Sequence, residues 1–380
     1  MTDLTSTGPI RSAESGSGNA ASPLICWEKI WPRTDLLDLL GITHPIIQAP
    51  MSGFDGPALV AAVSNAGALG SFGCGALPNQ IARDQIQEIR RATNRPFNLN
   101  FFAHPAPHID ADVTRRVRER LSGYYDEFDL GAVPEPSDPL PFFDEERLQL
   151  VLDLRPPVIS FHFGLPPADK LKRVKQTGAV VLCSATTVAE AQKLEAAGAD
   201  CIIAQGFEAG GHRGTFTAGD GAGLIGTMAL VPQVVDAVRV PVIAAGGIAD
   251  GRGIAAAFAL GASGVQIGTA FLGCPEATVS NVYRDALHRA ADEDTRLTRI
   301  FTGRPARVLR NRLTDELGDE EALEFPAQAS LTRPLTNNRS ASAAFLPLWA
   351  GQGAPLIRDL PAARLIDKLA IESSLLLPRA

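Results

Sequence analysis

Residues 241–271, PVIAAGGIADGRGIAAAFALGASGVQIGTAF, constrain the fold more than any other part of this chain, because they read as two successive units of strand, glycine turn and helix. The apolar run 242–245 is strand-like and breaks at Gly246-Gly247. Asp250 is placed to cap a helix over 254–260, which Gly261 ends. A second run follows at 264–267, and Gly268-Thr269 opens what reads as another helix. Main-chain N–H groups at glycine turns and helix N-termini bind anions, and in (β/α)8 barrels the loops after the seventh and eighth strands frequently hold a phosphate. Two such turns after consecutive strands predict a phosphate-bearing cofactor on Gly246, Gly247, Gly268 and Thr269.

From about residue 36 to 271, short apolar runs alternate with helical patterns, as repeated β-α units of a parallel sheet require. Strands are expected at 45–49, 68–72, 97–101, 158–162, 180–184, 201–204, 242–245 and 264–267, and eight strands close a TIM barrel. Helices are expected at 57–65, 81–93, 167–177 and 188–197, the last stopped by Gly198. A proline-rich stretch over 123–145 reads as an insertion between the third and fourth strands. The chain then divides into a disordered N-terminal tail (1–30), an α/β barrel (31–271), a mostly helical lid subdomain after strand 8 (272–340) and a C-terminal return that packs back on the barrel (341–380). The third of these is too long for a loop and is expected to roof the barrel mouth.

With 380 residues and 45% hydrophobic content the chain can bury one large core. The balance of 35 basic against 42 acidic residues, net −7, gives no reason to expect nucleic acid or an anionic membrane as a partner. No apolar run reaches the roughly 20 residues that span a bilayer. Cys26, Cys74, Cys183, Cys201 and Cys274 are odd in number and lack CxxC spacing, which fits a reducing, cytoplasmic setting.

Active sites of such barrels lie at the C-terminal ends of the strands. Strand 1 ends in Gln48-Ala49-Pro50-Met51, where Pro50 stiffens the turn and Met51 is either core or a soft contact for a flat ring. Strand 3 ends with Asn100, whose amide can donate to and accept from a heterocycle. His162 closes strand 4. His212 hangs from Gln205-Gly-Phe-Glu-Ala-Gly210-Gly-His-Arg-Gly, where four glycines in nine residues let the backbone approach a ligand beside a titratable imidazole. His44, His104, His108 and His288 lie beside prolines or on helical surface and read as bland. The histidines and cysteines do not form metal-ligand spacing, so no metal is expected. The Rossmann fingerprint and the Walker motif are both missing, which removes the ordinary dinucleotide and NTP readings.

Taken together, Ala49-Pro-Met, 98–101, Ser160-Phe-His-Phe-Gly-Leu-Pro, the Gln205 loop, Ala245-Gly-Gly-Ile-Ala-Asp, Gln266-Ile-Gly-Thr-Ala-Phe and Leu348-Trp-Ala-Gly-Gln resemble the class I nitronate monooxygenases, formerly 2-nitropropane dioxygenases, over residues 35–370. The resemblance implies an FMN-binding barrel that oxidises alkyl nitronates with O2 to a carbonyl compound and nitrite. It implies FMN contacts at Ala49, Pro50, Met51, Asn100, Gln205, Gly210, Gly247, Gln266, Ile267, Gly268 and Thr269, with Gly246 in the same phosphate turn. It also implies His212 as the active-site base and His162 beside the substrate. The expected partners are a small anionic nitronate or a neutral nitroalkane together with O2, with no nucleic acid and no membrane, and a homodimer as one compatible assembly. The Arg-rich roof is expected to attract the nitronate anion, and His212 either to hold its charge as imidazolium or to take the α-proton of a nitroalkane. Two other readings are an FMN-dependent NAD(P)H reductase, of the enoyl-acyl carrier protein reductase or quinone reductase type, and a flavin-binding protein without catalysis. The chain departs from the family at its N-terminal extension, at 123–145, and at Ser52-Gly-Phe-Asp55, where a Gly-Gly pair is commoner.

Overall fold

The computed structural model describes residues 31–137, 142–217, 223–338 and 343–378, so the expected tail over 1–30 lies outside the described residues. Eight parallel strands form one sheet: β1 (Ile46–Gln48), β2 (Gly70–Gly73), β3 (Phe97–Phe102), β4 (Val158–His162), β5 (Val180–Ala185), β6 (Cys201–Gln205), β8 (Val242–Ala245) and β9 (Gly264–Ile267). Their order, β1-β9-β8-β6-β5-β4-β3-β2, brings the two edges together. Leu69, just ahead of β2, donates to the Ile46 carbonyl and accepts from the Gln48 N–H, each at 3.0 Å, and so closes a TIM barrel. Buried on both faces, most of the strands, such as β4, β5, β6 and β8, read as near-continuous apolar runs, which is why their positions show in the sequence. Three further strands, β7 (Gly211–His212), β10 (Thr295–Thr298) and β11 (Ala306–Leu309), make a separate sheet in the order β10-β11-β7.

Asp250 caps the helix Gly251–Ala259, accepting from the N–H groups of Arg252 and Gly253. After β9, however, Gly268 opens only the 3-10 turn Thr269–Gly273 instead of an α-helix. The outer-layer helix for that position is Ala362–Ser374, which packs against Gly251–Ala259 and Pro57–Asn65. The approach is close: a Cβ on Gly251 would lie 2.3 Å from Glu372 Cβ. The lid is thus inserted between the last strand and the helix that completes the barrel.

The lid combines the β10–β11 pair with the helices Asn281–Arg289, Arg312–Leu317 and Ala327–Thr336. Its strand pair was hidden because Arg307 interrupts the buried run Ala306–Leu309. The helix Ala111–Glu127, capped by Asp110, runs into the stretch expected to be an insertion. Its Val117, Leu121 and Tyr125 share a hydrophobic cluster with Phe301, Val308, Leu313, Leu331 and Phe345, apart from the barrel core. The Tyr125 hydroxyl donates to the Leu331 carbonyl at 2.7 Å, and Arg116 grips Glu321 through two bonds of 2.9 Å. The lid is therefore built from two separate chain segments, one of them inside residues 31–271. Among the described residues no helix is long and apolar enough to cross a membrane.

Leu121 is fully buried in that shared cluster. Leu121→Ala should cost about 2–5 kcal/mol. Limited proteolysis of this variant is expected to cut first within 300–345, with the barrel resistant; cleavage beginning in the barrel would contradict a lid made of both segments.

Candidate active site

A cavity of about 340 Å3 opens between the strand ends and the lid, within the roughly 300–1,000 Å3 of small-molecule sites. Ala49, Pro50, Met51, Asn100, His162, Gln205, Gly210, His212, Gly246, Gly247, Gln266, Gly268 and Thr269 all line it. Ile267 does not. Its side chain is 1% exposed and lies in the barrel core, because successive strand residues point to opposite faces and Gln266 takes the cavity side. Met51 lines the cavity while packing against the core.

The floor is polar. Asn98 and Asn100, two apart on β3, each donate to Ser160 Oγ at 2.9 Å, and Asn98 also donates to Ser71 Oγ at 3.1 Å. Gln266 Oε1 is sealed from solvent without a partner among the described residues. An unmet buried acceptor costs about 1–3 kcal/mol, so this oxygen calls for a donor from a ligand. Gln205 is differently employed. Its Nε2 donates to the His212 carbonyl at 3.0 Å and its Oε1 accepts from the Gly214 N–H at 2.8 Å, so it braces the loop that carries the histidine.

The opposite end is a cradle of backbone. Gly246 (φ 109°) and Gly247 (φ 72°) occupy left-handed conformations that favour glycine. The first N–H groups of the turn Thr269–Gly273 have no intrahelical partner. Gly351 N–H donates to Thr269 Oγ1 at 3.0 Å, and a Cβ on Gly210 would lie 2.5 Å from Gly351 N. The Trp349-Ala-Gly-Gln-Gly segment thus joins the two predicted glycine turns as a third wall. A terminal phosphate fits this cradle, and the orphaned Gln266 oxygen fits the edge of a heterocycle.

His162 and His212 stand together. His162 Nε2–H donates to the His212 carbonyl at 3.2 Å, which leaves Nδ1 to accept from the Ser184 hydroxyl at 2.9 Å. His212 Nε2 lies 2.8 Å from Thr302 Oγ1 of the lid. Around the His212 ring are Trp349 (centroids 5.2 Å), Phe325 (5.4 Å) and Phe163 (5.9 Å). Burial, with the nearby His162 and Arg304, pushes the His212 imidazole down to about 3. Burial likewise pushes His162 down to about 4, against a raising contribution from the His212 carbonyl. Both are neutral near pH 7, so His212 has a lone pair to offer and holds no standing positive charge.

The Arg-rich roof is mostly occupied elsewhere. Arg296, Arg310 and Arg312 pair with Asp319, Asp315 and Glu127, Arg304 donates to the Thr215 carbonyl, and Arg307 to the Phe207 carbonyl. Arg333 is the arginine of that segment that reaches the cavity lining. Sequence reasoning also missed Tyr283, Thr302 and Phe325, which line the cavity from the lid. Thr302 stands in the run Phe301-Thr-Gly-Arg of the lid, where no spacing rule marks it. His44 and His104, each followed by a proline, are buried, 3% exposed each.

The family model described as nitronate monooxygenase matches residues 33–372. The nitronate monooxygenase of Paraburkholderia phytofirmans is 44% identical over 344 residues, 89% of this chain and 94% of the relative. That of Pseudomonas aeruginosa is 44% identical over 343 residues, 88% and 97%. Among solved structures, nitroalkane oxidase from Streptomyces ansochromogenes aligns with a TM-score of 0.82 at 40% identity, over 90% of this chain and 98% of that one.

The buried histidines set an acid limit. His44, held down to about 4, His162, His212 and the similarly lowered His104 stay neutral in the fold, whereas unfolded imidazoles take protons near 6.5. The unfolded chain then binds more protons in that window, so this stability is complete above pH 6.5 and is lost as pH falls toward 4. Asp55, pushed up to about 6 by burial, opposes the trend between 6 and 3.8, but it is one group against four. The Tm should fall steadily from about pH 7 to about pH 4.5; a flat or rising Tm in thermal melts would refute it.

Proposed function

The chain belongs to the nitronate monooxygenase family, and on that premise we propose that its cavity holds FMN and oxidises alkyl nitronates, and nitroalkanes after deprotonation, with O2 to a carbonyl compound and nitrite. The observation that carries the reading is a single cavity with a glycine-backbone cradle at one end and a neutral, aromatic-walled histidine at the other. Members of this family are flavin enzymes, and FMN suits a cradle for one terminal phosphate better than a dinucleotide, for which the chain has no pyrophosphate fingerprint.

Gly246, Gly247, Gly268 and Thr269 would hold the phosphate, while Asn100, Gln266 and the Ala49-Pro50-Met51 turn would meet the ring. Bound FMN supplies the redox chemistry that carries electrons from substrate to O2. The protein's own work is then to orient, dry and deprotonate. His212, being neutral, takes the α-proton of a nitroalkane, the electron pair passing into the nitro group to give the nitronate. A preformed nitronate needs no such step. Phe102, Phe325 and Trp349 exclude water from the reacting end, and His162, itself neutral, fixes the backbone of His212.

Under anaerobic conditions the bound flavin should be bleached much faster by a small alkyl nitronate than by NADH or NADPH at equal concentration. The reverse order would promote the reductase reading. Gly247→Asp, which places a carboxylate and a Cβ in a left-handed turn 3.3 Å from Glu208 Cβ, should purify colourless; unchanged flavin content would remove the phosphate assignment.

A further inference from the structure

The lid holds the catalytic loop from both ends of one residue. His212 belongs to β7, whose partner is the lid strand β11, with Ala306 opposite His212 and Arg307 opposite Gly211. The next residue repeats the link, Arg213 N–H donating to the Pro305 carbonyl at 2.8 Å. The side chain is held by the same lid hairpin through Thr302, in the turn between β10 and β11. That turn is rigidly seated: Gly303 has φ 91°, and a Cβ there would lie 2.0 Å from the Leu323 carbonyl oxygen.

The rest of the His212 ring meets aromatic side chains, so Thr302 Oγ1 is the polar group it touches among the described residues. Nδ1 makes no hydrogen bond among them, and the residue lines the cavity. A base must keep a free lone pair toward the substrate, and in a neutral imidazole the hydrogen bond at one nitrogen selects which one carries the proton.

We propose that Thr302 is a positioning residue for the reaction, accepting from His212 Nε2–H and so leaving Nδ1 as the nitrogen that takes the substrate proton. The inference rests on His212 being the base. In the step, the Cα–H bond breaks, its proton goes to Nδ1, and its electron pair enters the nitro group. The resulting imidazolium keeps Nε2–H bonded to Thr302 Oγ1, an oxygen that no aromatic neighbour could replace. The lid therefore completes the base as well as covering it.

Two measurements on the holoenzyme test this. In 15N-histidine NMR, with the His212 signals assigned by their loss in His212→Asn, the wild type should show Nε2-protonated His212 at neutral pH. Thr302→Val, nearly isosteric but without the oxygen, should lose that preference, and Thr302→Ser should keep it. In turnover, Thr302→Val should lose roughly tenfold on a neutral nitroalkane, the effect of one hydrogen bond of about 1.4 kcal/mol, and at least about fivefold less on the preformed nitronate, with Thr302→Ser restoring it. An Nδ1-protonated wild type, an unchanged tautomer in Thr302→Val, or equal losses on both substrates would overturn the proposal. If His212→Asn itself spares nitroalkane turnover, the base reading fails separately; if it abolishes turnover while Thr302→Val matches wild type, only the role of Thr302 falls.

Discussion

The site depends on how the chain satisfies the backbone of one glycine-rich loop. Residues 205–217 leave β6, cross beneath the lid and carry His212, yet they form almost no regular structure of their own. Their hydrogen-bonding groups are collected by buried charges. Arg213, 1% exposed, donates to the carbonyls of Gln205, Gly206 and Gly223, and Arg307 donates to that of Phe207 while its guanidinium lies 4.3 Å over the Phe207 ring. Glu190 does the reverse, accepting from the N–H groups of Phe216 and Thr217 and from the Thr215 hydroxyl. Burial alone would push the Glu190 carboxyl up, but the N–H donors from Phe216, Thr186 and Thr217 outweigh it and hold it below its ordinary range. Each carbonyl left unmet would cost about 1–3 kcal/mol. The loop is ordered because cations gather its acceptors and an anion its donors.

That arrangement also sets the electrostatics of the chemistry. With Arg213 facing carbonyls and Arg304 lying 4.0 Å over the Phe163 ring, positive charge stands near the two histidines. Desolvation is the larger influence on both imidazoles, and the neighbouring cations act in the same direction. Phe163 itself sits at φ 72°, a left-handed conformation that is strained for a bulky residue. Its ring touches His162, His212 and Phe325 and carries Arg304 on its face. Strain of this kind persists where surrounding contacts over-determine the position.

Much of the barrel was legible because its strands are apolar on both faces and its turns are marked by glycine. The runs 158–162, 242–245 and 264–267 coincide with β4, β8 and β9, and Asp250 caps the helix it was expected to cap. Strand ends are also where chemistry sits in this fold, so Asn100 and His162 could be placed from position, while Gln266 came from the family motif, and all three line the cavity. Ile267 could not, because a family motif names consecutive residues while a strand turns alternate ones away. The lid resisted reading for another reason. Thr302, Tyr283 and Phe325 reach the cavity through tertiary packing, and the helix Ala111–Glu127 joins them across nearly two hundred residues of chain through Leu121 and Tyr125. Nothing local announces such a partnership.

The position of the lid within the chain has a consequence for how the molecule is made. The eighth barrel strand ends at Ile267, but the helix that seals the adjoining side begins only at Ala362. During synthesis the helix that covers the barrel wall beside β1 and β9 follows the whole lid segment, so the apolar faces of Gly251–Ala259 and Pro57–Asn65 are made well before their cover. Contacts of such long sequence separation form late and leave surfaces exposed to aggregation. The lid segment thus stands between the eighth strand and the helix that covers it, and the strands that grip His212 precede that helix in the chain.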